Sequence, residues 1–139
     1  MSTNILNPEK SITDVSRLLT IIGQPARIQI LMAISEQEAC VCHLEAALKM
    51  RQASISQHLM VLRKAGLVTT YRDSRNIFYC LAQREVIQLL EEASNLIGID
   101  PSFLSSLKIR PIPNCPCPQC NPGQDPELSC SNLRSTSTS

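Results

Sequence analysis

Proline is distributed so unevenly along this chain that it decides where a compact domain can lie. Seven of nine prolines (Pro101, Pro111, Pro113, Pro116, Pro118, Pro122 and Pro126) follow residue 100, and the last eleven residues, SCSNLRSTSTS, are mainly Ser and Thr. Proline removes a backbone donor and blocks helix interiors, so regular structure is expected before Gly98 and an irregular tail after it. The expected division is an N-terminal arm over 1–10, one folded domain over 11–98, and a Pro- and Cys-rich tail over 99–139. At 139 residues there is room for one small core and not for separate cofactor and substrate lobes.

Within the body, Ser11 is a candidate cap for a helix over about 11–22, with Ile12, Val15, Leu18, Leu19 and Ile22 spaced by threes and fours. Pro25 suits the first turn of a second helix ending near Glu36, with Ile28, Ile30, Leu31, Met32 and Ile34 as its broad apolar face. A short helix over Cys42 to Leu48, the polar turn Lys49-Met50-Arg51-Gln52, and a helix carrying Ile55, Leu59 and Leu62 form the pattern of a helix-turn-helix. Gly66 can end that helix. The runs LVTTYR and IFYCL around DSRN then predict a β-hairpin, with Asn76 the candidate for positive φ in its turn. A last helix over about 84–97 carries Val86, Leu89, Leu90, Ala93, Leu96 and Ile97, a stripe wide enough to call for a second copy of the chain. The fold class expected is mainly α with a small β-hairpin wing.

Net charge is only +1, but between Lys49 and Arg75 six basic residues (Lys49, Arg51, Arg63, Lys64, Arg72 and Arg75) face Asp73 alone. A basic segment that coincides with a helix-turn-helix and hairpin is what a reader of double-stranded DNA requires. Burying Ile55, Leu59 and Leu62 turns Ser54, Gln57, His58, Val61 and Lys64 outward, and Gln52, Ser54, Ser56 and Gln57 are suited to base edges and phosphates. His58 reads equally well as a packing or phosphate-contact histidine and as a base reader.

Seven cysteines are an odd set for a disulfide scaffold and read better as thiolates for a metal or an oxidant. Cys40 and Cys42 flank Val41. On a regular helix two residues apart diverge by roughly 200°, so either Cys40 precedes the helix or a bound ion distorts its first turn. Cys115, Cys117 and Cys120 form a C-x-C-x-x-C cluster, and soft thiolates favour As(III), Cd(II), Pb(II), Zn(II) or Cu(I) over hard ions. His43 is expected at the helix start or partly exposed, Cys80 as a hydrophobe, and Cys130 as a bystander. No run of apolar residues reaches membrane-span length, and MSTNILNPEK is not a signal peptide, so a cytoplasmic location is expected. Two histidines, no Gly-rich phosphate loop and no nucleophile beside a base argue against an enzyme.

The run ACVCHLEAALKMRQASISQHLMVLRKAGLVTTYRDSRNIFYCL closely resembles the core of the ArsR/SmtB metal-responsive repressors, over about residues 11–98. The resemblance implies a winged-helix homodimer, joined through helix one and the last helix, that represses from a palindromic operator and releases it when a toxic ion binds. It places Ser54, Ser56 and Gln57 on bases, Arg63 and Lys64 on phosphate, and Arg72 and Arg75 at the wing. It makes Cys40-Val41-Cys42 the sensing position. Relatives that sense Cd and Pb draw further cysteines from an N-terminal arm, and this chain has no cysteine before Cys40, which leaves the tail cysteines to complete one shared site, to form a second one, or to serve as a redox-active or structural zinc element. The Asp, His and Glu site that some members carry on the last helix has no counterpart here. A thiol-oxidation switch in the same fold, and a metal-sequestering protein, are the alternatives.

Overall fold

The computed structural model describes residues 8–73 and 75–108; the cysteines at 115, 117, 120 and 130 lie outside them. Helix α1 spans Pro8–Ile22, α2 Pro25–Ala33, α3 Val41–Leu48 and α4 Gln52–Lys64. Strands β1 (Val68–Asp73) and β2 (Asn76–Leu81) follow, then α5 (Glu85–Leu96) and a 3-10 segment over Pro101–Lys108.

Helix α2 is the centre of the molecule. Ile30, Leu31, Met32, Ala33 and Ile34 are consecutive and all buried, so this helix has no water-facing side at its C-terminal end. Around it gather Leu44 of α3, Ile55, Leu59 and Leu62 of α4, Val68 of β1, and Val86 and Leu90 of α5. The helix stops at Ala33 rather than near Glu36. Ser35 turns its hydroxyl back to donate to the Met32 carbonyl (2.8 Å), which competes with further helical bonding.

The helix-turn-helix forms where expected, with α3 and α4 joined by Lys49-Met50-Arg51. Lys49 caps α3 in the left-handed region (φ 54°, ψ 44°), and its amide donates to the Glu45 carbonyl. Helix α4 ends on Gly66 (φ 78°), with Gly66 N donating to Arg63 O and Leu67 N to Leu62 O, the paired bonds of a Schellman motif. That motif turns the chain sharply enough for Leu67 and Val68 to enter the core as β1 begins. The two strands pair antiparallel from Val68↔Leu81 to Asp73↔Asn76.

Several expectations change. Helix α1 begins at Pro8, so Ser11 lies inside it rather than at its cap. The wing strands run further than expected. Asp73 and Asn76 pair in the ladder, and Asn76 is a buried strand residue instead of the left-handed turn residue. The α5 stripe is split, with Val86, Leu90 and Ser94 facing inward while Leu89, Ala93, Leu96 and Ile97 face water. Packing also continues beyond Gly98, since Leu104 of the 3-10 segment is buried in the core cluster. Among the described residues, no helix is long and apolar enough to cross a membrane.

Candidate nucleic-acid interface and thiol site

Helix α4 divides its residues by chemistry. Ile55, Leu59 and Leu62 are buried, while Gln52, Ser54, Gln57, Arg63 and Lys64 are exposed along with the capping residue Arg51. Ser56 is half-buried and helps line a groove of about 500 Å³ between α4 and the wing, together with Leu59, Met60, Arg63, Lys64 and Tyr79. Arg72 and Arg75 are exposed at the wing. Basic and amide side chains on one helix thus stand beside two arginines of an adjoining hairpin, an arrangement suited to a groove and its flanking phosphates.

Two residues of this helix expected to face outward, His58 and Val61, are half-buried. His58 does not point away from the core: it is half-buried, and its Nδ1 accepts a hydrogen bond from Arg27 Nε of α2 at 3.1 Å. Burial and the Arg27 charge hold its pKa below the ordinary 6.5. Spacing contained the signal, since His58 is three residues after Ile55 and four before Leu62, on the flank of the buried stripe. Met60, which the apolar spacing of α4 does not single out, is 56% exposed in the groove.

The thiol pair occupies a junction. Cys40 is the N-cap of α3 with extended backbone (φ −88°, ψ 169°), so it lies ahead of the helix and escapes the divergence a helical pair would impose. Cys40 and Cys42 are both buried and not disulfide-bonded. His43 is fully buried at 1% exposure rather than partly exposed, because it follows Cys42 into the interior beside Leu44. Among the described residues, no group of three His, Cys, Asp or Glu side chains is placed to hold a metal ion.

The same junction is joined to the wing. Ala39 and Tyr79 form an antiparallel bridge, with Ala39 N donating to Tyr79 O (3.1 Å) and Tyr79 N to Ala39 O (2.8 Å). One residue earlier, Glu38 Oε1 accepts from the Tyr71 hydroxyl at 2.7 Å, and Tyr71 stacks on Phe78 with centroids 5.4 Å apart. That hydrogen bond, with burial and the Glu38 charge behind it, pushes the Tyr71 phenol up to about 12. Cys80 is half-buried in β2, its pKa raised by burial and by Glu38, which keeps it a protonated and poorly nucleophilic thiol.

Residues 24–70, from the start of α2 into β1, match the family described as "Bacterial regulatory protein, arsR family". A biofilm growth-associated repressor of Agrobacterium fabrum is 42% identical over 83 residues, covering 60% of this chain and 71% of that protein. This chain belongs to the ArsR family. A second member, the HTH-type transcriptional repressor SmtB of Mycobacterium tuberculosis, is 35% identical over 94 residues, 67% of this chain and 70% of the relative. The structure of reduced HlyU from Vibrio cholerae superposes with a TM-score of 0.57 at 33% identity, covering 65% of this chain and 95% of that one. The architecture is therefore the winged helix-turn-helix of ArsR-family regulators, with α3 and α4 as the two helices of the motif and the β1–β2 hairpin as the wing.

Proposed function

We propose that this ArsR-family chain is a cytoplasmic transcriptional repressor that holds a palindromic operator as a homodimer and releases it when thiols centred on Cys40 and Cys42 capture a thiophilic ion. The observation that carries this reading is the position of Cys40. It caps the helix that packs on α4, and through Ala39 it adjoins the bridge to β2. Chemistry at that sulfur adjoins both of the elements that would face DNA.

In this reading Gln52, Ser54, Ser56 and Gln57 read bases, Arg51, Arg63 and Lys64 hold phosphates, and Arg72 and Arg75 follow the backbone beside the wing. The dimer forms through α1, whose Ile12, Val15 and Leu19 are at least half exposed, and through the outward residues of α5. Ion and operator then favour different dimer conformations, so each weakens the other. Near-complete release requires a differential of about 5.5 kcal/mol. Thiolate binding of structural zinc is worth on the order of 10 kcal/mol or more, so the effect is within reach. The inducer is As(III), Cd(II), Pb(II) or Zn(II), and Cys115, Cys117 and Cys120 of the tail complete its ligand set.

A thiol-oxidation switch is the second reading. It is supported by Cys40 and Cys42 being two residues apart and both in the free thiol form, and by a structural relative, HlyU, having been captured in a form described as reduced. Titrating reduced protein with each ion, while following thiolate absorption and operator release, separates the two. Release by an ion supports the first reading; release by peroxide and by no ion establishes the second. A triple Cys115, Cys117, Cys120→Ser variant that binds the ion as tightly as the native chain removes the tail from the site.

A further inference from the structure

Arg27 belongs to α2, outside the segment with the DNA-facing side chains, yet its guanidinium reaches two other helices. Its Nη1 donates to the carbonyl of Ile21 in the last turn of α1 (3.0 Å), while Nε donates to His58 Nδ1 on α4. One planar group thus joins α1, α2 and α4, in a part-buried position where charge-assisted hydrogen bonds count for more than at the surface. Ile55, Leu59 and Leu62 set which side of α4 is buried; His58 lies one residue after Gln57 and two after Ser56, so its bond to Arg27 adds a polar brace on the flank of that side, next to the residues that face outward.

We infer that Arg27 is a positioning residue for operator binding, acting through a neutral His58 whose Nδ1 must remain an acceptor. This rests on the DNA-binding reading above and deepens it. Accepting from Nε leaves the imidazole proton on Nε2, and a second proton on Nδ1 would remove the acceptor and set two cations against each other. Helices α2 and α3 and strand β1 pack on α4, and burial, then the charge of Arg27, act against the second proton on His58. The sign follows. A folded state that resists the proton has its full stability above the ordinary value of 6.5, begins to lose it as pH falls below that value, and loses the brace itself as pH falls through the lower pKa of the folded state. A histidine contacting phosphate would do the opposite and tighten on DNA as it became charged.

The test is a pH series of affinity for a duplex selected from a randomised pool by the full native chain, with an NMR titration of the His58 imidazole alongside. From about pH 8 downward, native affinity should fall as the imidazole takes up its second proton, by less than roughly tenfold at about pH 5.5 because the His58 pKa lies below the ordinary 6.5, and further at lower pH. His58→Asn supplies an acceptor oxygen that does not titrate; it should keep most of the affinity at the upper pH and lose the pH dependence. Arg27→Met should bind roughly tenfold more weakly at the upper pH, with its imidazole titrating nearer the ordinary value. Should Arg27→Met fail to fold, Arg27→Lys, which keeps the charge without the fork, should show the same changes at smaller size. Affinity that rises on acidification, or an Arg variant with native affinity and native His58 titration, overturns the inference. If the native chain selects no duplex, the DNA reading fails separately, and the imidazole titration still decides whether Arg27 holds His58 neutral.

Discussion

Helix α4 lays one side on the core along its length, whereas α1 reaches that core only through Leu18, Ile21 and Ile22 near its C-terminal end, and the exposed residues of the two helices differ sharply. On α1 the exposed residues include Ile12 (69% exposed), Val15 and Leu19; on α4 they are Gln52, Ser54, Gln57, Arg63 and Lys64. An apolar side left in water is stable only when another apolar surface covers it, whereas a basic and amide side is stable alone and gains by meeting a polyanion. Under the proposed function the two helices meet different partners, a second copy of the chain for α1 and a duplex for α4. That function also links them, because two copies set at a fixed distance present two α4 helices to two half-sites.

The sharpest way to break this division is Leu19→Glu. A charge on the covered side should give a monomer by sedimentation and lower operator affinity by about a hundredfold, the scale of lost bivalency. A monomer that binds as tightly as the native protein would separate the two helices' roles. On the other side, Gln57→Ala should cost about 1–3 kcal/mol and relax base preference at one position of each half-site, read by competition among altered duplexes. Lys64→Ala should weaken binding alike on all sequences and reduce the slope of affinity against salt by roughly one ion. A smaller effect on the fold alone is expected from Lys49→Gly. It relieves the left-handed strain in the turn between α3 and α4 and should raise stability by roughly 0.5–1 kcal/mol in a denaturant melt. Smallest is Tyr71→Phe, which removes the exposed bond to Glu38; it should leave stability within about 0.5 kcal/mol while loosening the wing, seen as faster amide exchange at Tyr79.

What could be read from the sequence follows from how far apart the interacting residues lie. Ile55, Leu59 and Leu62 announce the buried side of α4 by spacing alone, and Gly66 marks its end because few other residues accept that φ. The hairpin is legible for the same reason, its alternation and turn being confined to fourteen residues from Val68 to Leu81. His58 with Arg27 and Tyr71 with Glu38 join positions 31 and 33 residues apart, and no local pattern encodes them. Leu104 was hidden in a proline-flanked stretch with no helical period, yet it packs into the core. The basic segment was legible as chemistry, while its division into outward contacts and an inward brace required the fold. For the thiols, the sequence left two geometries open, and the extended backbone at Cys40 selects the one in which that residue precedes the helix.

The proposed function requires an antagonism between soft-ion capture at the front of α3 and the grip of α4 and the wing on DNA. Fluorescence anisotropy of a labelled operator with the reduced dimer, with and without saturating Cd(II) or As(III), measures it directly, with Cys40→Ser and Cys42→Ser as controls. The ion should lower native affinity by at least roughly a hundredfold, and each variant should bind DNA normally and ignore the ion. An ion-saturated native dimer that holds its operator with undiminished affinity would contradict the account.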